Sequence, residues 1–131
     1  MGVKELRLVV TVDDYDEAVA FYRDVLGLPE GESYSSEDGR VTILEVERAT
    51  LELADPGQAE FIDAVEVGRR VAGKYRVAIE VDDATATTQR LADAGATVVA
   101  EPTRTPWNSL NARLETPGGI QLTLFTELDF K

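Results

Sequence analysis

The sequence predicts an α+β fold built from two βαβββ modules, and three observations predict it. The run LRLVVTVDD at 6–14 returns as YRVAIEVDD at 75–83, 69 positions later, with arginine second in both copies. Each copy leads into a segment whose apolar residues recur at helical spacing and which a glycine closes. Each helix is followed by short β-rich runs divided by turn residues. A repeat of this length is fold-level information, because each half exposes an apolar sheet face that needs its own helix.

The first strand is LRLVVTV, residues 6–12, rich in β-branched and aliphatic side chains. Alternation puts Leu6, Leu8, Val10 and Val12 on one face and Arg7, Val9 and Thr11 on the other. Asp14 is placed to cap the next helix, with Glu17 three residues on as in a capping box and Asp16 suited to the N-terminal dipole. Ala18, Val19, Phe21, Tyr22, Val25 and Leu26 form its apolar stripe, and Gly27 is placed to end it in a left-handed conformation. The polar residues GESYSSEDGR then read as a turn region, with Tyr34 a candidate start for a short strand. VTILEVE (41–47) and ATLELAD (49–55) read as two further strands.

Module one thus covers about 1–57, a connector fills 58–73, and module two covers 74–131, all within one domain. The middle of the connector fits a strand and a short helix equally well. In module two, Tyr75, Val77, Ile79 and Val81 face one way and Arg76, Ala78 and Glu80 the other. Asp82 or Asp83 caps a helix through Leu91 to Ala94, ended by Gly95. ATVVAEP reads as a strand, TRTPWNS as a loop, LNARLET as a strand, PGG as a turn and IQLTLFT as the last strand. Overlaying the modules sets Glu52 opposite Thr123.

Composition narrows the chemistry. The chain has no cysteine and no histidine, which removes thiolate chemistry, thiolate metal sites and the usual general base near neutral pH. A net charge of −12, from 25 acidic and 13 basic residues, disfavours nucleic acid as a partner. No apolar run approaches the ~20 residues of a membrane helix, and the first residues lack a signal-peptide core. A soluble, cytoplasmic protein is expected, without membrane or nucleic-acid partners. The acidic field also suits a cationic small molecule.

The motifs VTVDDYDEAVAFYRDVLGL and TPGGIQLTLF together resemble the opening and closing signatures of the vicinal oxygen chelate superfamily. That family includes glyoxalase I, bleomycin-resistance proteins and extradiol dioxygenases. The resemblance covers nearly the whole chain and implies a curled mixed-sheet cup with helices on its outer face. It also implies metal ligands on the inward face of the first and last strand of each module, which here are Arg7, Glu52, Arg76 and Thr123. Of these only Glu52 suits a divalent cation, since arginine has no lone pair to give and threonine is a weak ligand. A metal-free relative of the bleomycin-resistance proteins is therefore expected, without cofactor, with Arg7, Glu52 and Arg76 bracing the former metal site.

Trp107, the only tryptophan, lies in a loop flanked by Arg104, Asn108, Asn111 and Arg113. An aromatic face beside amide and guanidinium donors suits a planar ligand. The candidate ligand contacts are Arg7, Glu52, Arg76, Trp107, Asn108, Asn111, Arg113 and Thr123, with Tyr34 and Phe125 weaker. The expected function is sequestration of an aromatic or cationic compound. The alternative is a metal-independent lyase or isomerase that uses Glu52 or Glu80 with an arginine, for which no second acid–base group is evident. Relatives of this length generally complete their pockets as two-fold dimers, so a homodimer of about 29 kDa, twice the 14.3 kDa chain, is expected.

Overall fold

The computed structural model describes residues 4–5 and 7–128 of the chain. It forms two compact units, divided between Glu52 and Leu53. Among the described residues they hold three helices, one antiparallel hairpin and one mixed sheet, an α+β architecture.

The N-terminal unit contains α1 (Tyr15–Val19), which runs on as a π-helical segment Ala20–Val25, and the strands β1 (Glu30–Ser35) and β2 (Arg40–Leu44). Asp14 caps α1 as the sequence predicts, its side chain accepting from the Glu17 N–H at 3.0 Å. Gly27 ends the helical segment at φ +93°, the left-handed conformation that glycine adopts without penalty. The wider π-helical winding moves the closing bonds back by a residue, so the Leu26 N–H reaches Phe21 O and the Leu28 N–H reaches Tyr22 O. Ala18 and Phe21 are this helical segment's buried residues. The hairpin pairs Tyr34 with Val41 and Ser35 with Arg40.

Three expectations for this unit are corrected. Residues 31–35, read as turn chemistry apart from Tyr34, lie in β1. The run 41–47 is a strand only to Leu44. Neither residues 7–12 nor 49–55 join a ladder, and most of them are exposed; Leu6 lies outside the described residues. The physical reason is that alternation tells which face of a strand is apolar but supplies no hydrogen-bonding neighbour.

The C-terminal unit realises the predicted order in full. After α2 (Pro56–Glu66) come β3 (Val77–Glu80), α3 (Ala84–Asp93), β4 (Thr97–Arg104), β5 (Ser109–Thr116) and β6 (Ile120–Glu127). The sheet order is β3-β6-β5-β4, with β3 parallel to β6 and the other pairs antiparallel. Asp83 caps α3 by accepting from the Ala86 N–H, and Thr126 accepts from the Ala84 N–H while donating to Val81 O. At the other end Gly95 N–H bonds Ala92 O and Ala96 N–H bonds Leu91 O, the paired bonds of a Schellman stop. The Gly118-Gly119 turn, with φ of +93° and +78°, joins β5 to β6. Pro102, expected at a strand end, sits within β4. It is accommodated because β4 is an edge strand and its register shifts between Ala100 and Thr103.

The connector, open between strand and helix from sequence, is helical. Asp55 accepts from the Gln58 N–H at 2.8 Å and Pro56 occupies the first turn, which together start α2. The core of this unit lies on the α3 side of the sheet. Leu91, Ala112, Leu114, Leu122 and Leu124 are completely buried there, and α3 spans β4, β5 and β6. Each such leucine contributes about 1.5–3 kcal/mol by leaving water.

Candidate functional site

Side chains alternate along a strand, so the residues between those leucines face the other way. On β5 these are Ser109, Asn111 and Arg113, and on β6 they are Gln121 and Thr123. Register sets Arg113 directly opposite Thr123. Helix α2 meets this polar face of β5 with Asp63 and Glu66, three residues apart and therefore neighbours on one helical surface.

Arg113, Asp63 and Glu66 are buried together, with Arg113 wholly removed from solvent. Arg113 Nη1 donates to Asp63 Oδ1 at 2.8 Å and to Gln121 Oε1 at 2.7 Å. Its Nη2 and Nε donate to Glu66 Oε1 at 2.9 and 3.2 Å, and Nε also reaches Thr123 Oγ1 at 3.1 Å. Glu66 further accepts from Thr123 Oγ1 at 3.0 Å and, on its other oxygen, from Asn111 Nδ2 at 2.7 Å. Burying ions costs several kcal/mol each unless they are paired and their remaining donors are met, and this arrangement meets both conditions.

The polar chain continues in two directions. Asn111 Oδ1 accepts from Ser109 Oγ at 2.6 Å, which shares a bond with Thr105 Oγ1 at 2.9 Å. Thr123 Oγ1 accepts from Arg76 Nη1 at 2.7 Å. Asp63 is tied differently: its Oδ2 accepts from the N–H groups of Val71 and Ala72 and from Arg70 Nη1, all at 2.8–2.9 Å. Burial pushes the Asp63 carboxyl upward, but the Ala72 and Val71 N–H groups and the Arg113 and Arg70 guanidinium groups outweigh it. They hold it well below the usual carboxylate range.

Of the residues selected from sequence, Arg76, Asn111, Arg113 and Thr123 come together in this network. Arg113 and Asn111, selected for flanking a loop tryptophan, lie on β5 as the reading of LNARLET as a strand expects, and both are buried. Trp107 and Asn108 lie in the turn between β4 and β5. Asn108 has φ +62° and its Oδ1 accepts from Arg104 Nη2, while Trp107 is 45% exposed and its ring meets Phe61 of α2 at 6.2 Å. Glu80 is exposed on β3, and Phe125 is half-buried on β6. Arg7 and Glu52 belong to the N-terminal unit, where Arg7 pairs with Glu5 at 2.9 Å and Glu52 is exposed. Tyr34, also exposed, bonds Glu32. That unit has an open cleft of about 410 Å³, crossed by the Arg40–Asp16 ion pair, with the Arg40 guanidinium over the Tyr15 ring.

Sequence reasoning missed Asp63 and Glu66. Reading Asp55-Pro56 as a helix start would have placed both on one face of a connector helix.

The family resemblance implies a metal, and the residues present do not fit one. At the strand positions concerned, Thr123 Oγ1 already receives N–H donors from Arg76 and Arg113, and two permanent cations adjoin it. Among the described residues, no group of three or more Asp or Glu side chains is arranged to hold an ion. No helix among them is long and apolar enough to cross a membrane.

Solved structures share the fold, among them the following three. TnmS3, an antibiotic binding protein from Streptomyces sp. CB03234, aligns with a TM-score of 0.63 at 23% identity, covering 97% of this chain and 98% of its own. The hypothetical protein SA1046 from S. aureus aligns with a TM-score of 0.65 at 14% identity, covering 96% and 95%. A superfamily member from Sphaerobacter thermophilus DSM 20745 aligns with a TM-score of 0.61 at 22% identity, covering 90% and 92%. At these identities the likeness is one of fold. No curated protein matches the chain. The family model matches residues 6–124, nearly the full length, and by that match the chain belongs to the Glyoxalase/Bleomycin resistance protein/Dioxygenase superfamily.

Proposed function

We propose that the chain is a metal-independent small-molecule-binding protein of the bleomycin-resistance type, which sequesters an aromatic compound without chemical conversion. One observation carries the reading. Where the resemblance puts a metal, Arg76 and Thr123 are bonded to each other and adjoin Arg113, a donor set that already holds the Glu66 carboxylate and does not suit a cation. The antibiotic-binding protein TnmS3, alike in fold, points the same way. The ligand contacts are Arg76, Asn111, Arg113 and Thr123, with Trp107 and Asn108 at the turn leading into β5. These guanidinium groups favour a ligand with an acidic group over the cationic compound that net charge alone suggests. The working form is a cytoplasmic homodimer in which each chain is a single domain with a cup-shaped pocket.

Calorimetric titration with a panel of small aromatic compounds, followed by mass analysis of the recovered ligand, tests this. Saturable binding with the ligand recovered intact is the expected result. Conversion of a bound compound, or no saturable binding across the panel, would overturn the reading. One equivalent of tightly bound transition metal in the purified protein would overturn its metal independence.

A further inference from the structure

Helix α2 buries two of its eleven residues, and both are carboxylates, Asp63 and Glu66. Its aromatic contact, Phe61 with Trp107, is between rings that are each about half exposed. A helix in a folded protein is ordinarily held by an apolar stripe. In this one the apolar residues Ala59, Ile62 and Val65 are only half-buried, and the fully buried contacts to the sheet are acceptors placed against donors.

Those donors come from the sheet, and each also has a bond to a residue outside the helix. Asn111 is fixed by Ser109, Thr123 by Arg76, and Arg113 by Gln121. The four bonds on Glu66 therefore describe a carboxylate-binding arrangement on β5 and β6, with Glu66 as its occupant. The connector has its own internal clasp. Asp63 Oδ2 bonds the Val71 and Ala72 N–H groups and Arg70, so α2 and residues 70–72 form one body. That body reaches the sheet through Asp63 Oδ1 on Arg113, through Glu66, and through Gln121 Nε2 on Val71 O at 3.4 Å. Gly68 follows the helix at φ +89° and Gly73 ends the segment, so its exit contains two of the residues least restricted in backbone conformation.

We propose that the β5–β6 face is a receptor for a small-molecule carboxylate, and that α2 is its internal occupant until a ligand takes the place of Glu66 on Arg113, Asn111 and Thr123. The inference rests on the binding function proposed above and names the ligand's anchoring group. Exchange of one carboxylate for another leaves Arg113 compensated throughout, so the buried guanidinium never has to stand alone. Release of α2 also frees the Trp107 face from Phe61, which leaves an aromatic surface for the body of the ligand.

The test compares phenylacetate and benzoate with their primary amides in calorimetry, on the wild-type chain and on Glu66→Gln. The carboxylates should bind and the amides should not. Removing the competing charge in Glu66→Gln should tighten carboxylate binding about tenfold, the equivalent of one charge-assisted bond. Equal binding of acids and amides, or unchanged or weaker acid binding by Glu66→Gln, overturns the proposal while leaving small-molecule binding intact. Failure of every aromatic compound to bind either protein overturns both. Should Glu66→Gln fail to fold, hydrogen exchange on the wild type decides. Phenylacetate should speed exchange of the α2 amides while β5 stays protected, and slowed or unchanged α2 exchange overturns the exchange model.

Discussion

The two helices of the C-terminal unit lie on opposite faces of one sheet and are held there by opposite means. Helix α3 buries Ala84, Thr87, Thr88 and Leu91, and the leucines of β5 and β6 fill the layer beneath it. Helix α2 buries Asp63 and Glu66 against Arg113. Hydrophobic burial is non-directional and persists across pH and salt, whereas a charge network depends on geometry and protonation. The comparison therefore separates a permanent layer from a conditional one, and the experiments below try to break that separation.

The largest effect is expected from Arg113→Ala, which leaves Asp63 and Glu66 buried without their shared counter-charge. The cost is about 3–5 kcal/mol, read by denaturant unfolding. If the layers are distinct, hydrogen exchange in this variant will show α2 amides unprotected while α3 remains protected. Simultaneous loss of both helices would end the distinction. Leu91→Ala should cost about 2–5 kcal/mol by opening a cavity under α3, and here the whole unit should unfold together. Retention of native α3 exchange in Leu91→Ala would show that the leucine layer is not its anchor.

Acid sharpens the contrast next. The folded Asp63 carboxyl is held below its usual value, so its contribution is complete above the ordinary carboxylate pKa of about 3.9. That contribution is lost as pH falls below that value, when the unfolded state takes up the proton first. Stability measured from neutral pH downward should decline through this window, and Asp63→Asn should start lower and decline less. A parallel decline in both proteins would mean that other carboxylates govern acid sensitivity. The smallest effect belongs to α3. Thr88 Oγ1 is buried without a hydrogen-bond partner, so Thr88→Val should change stability by less than about 1 kcal/mol, and in the favourable direction. Destabilisation beyond that would show a partner for the hydroxyl.

The sequence made much of this fold legible, and unevenly so. Caps at Asp14 and Asp83, stops at Gly27 and Gly95 and the Gly118-Gly119 turn all stand where local chemistry puts them. Module two was readable strand by strand because β3 and the three strands after α3 pair with one another. Module one followed the same pattern in sequence, yet 7–12 and 49–55 carry no ladder, since the pattern does not specify a neighbour. Arg76 and Thr123 were selected together because the family resemblance puts metal ligands at those positions, and strand alternation agreed in placing them on the face away from the helix. Arg113 and Asn111 were selected for their closeness to Trp107 in sequence, and their actual role depends on α2.

What the sequence by itself determined is whatever a few neighbouring residues decide: where helices begin and stop and which strand face is apolar; that arginine and threonine stand where relatives carry metal ligands came from the family resemblance. What only the tertiary structure decided is which charges meet. Glu66 finds Asn111 and Thr123 across 45 and 57 residues, and Asp63 finds Arg113 across 50. Residues so far apart in the chain leave no periodicity for a local reading to detect. Their pairing is selected because a buried guanidinium must be matched, and the two carboxylates of α2 lie where they can match it.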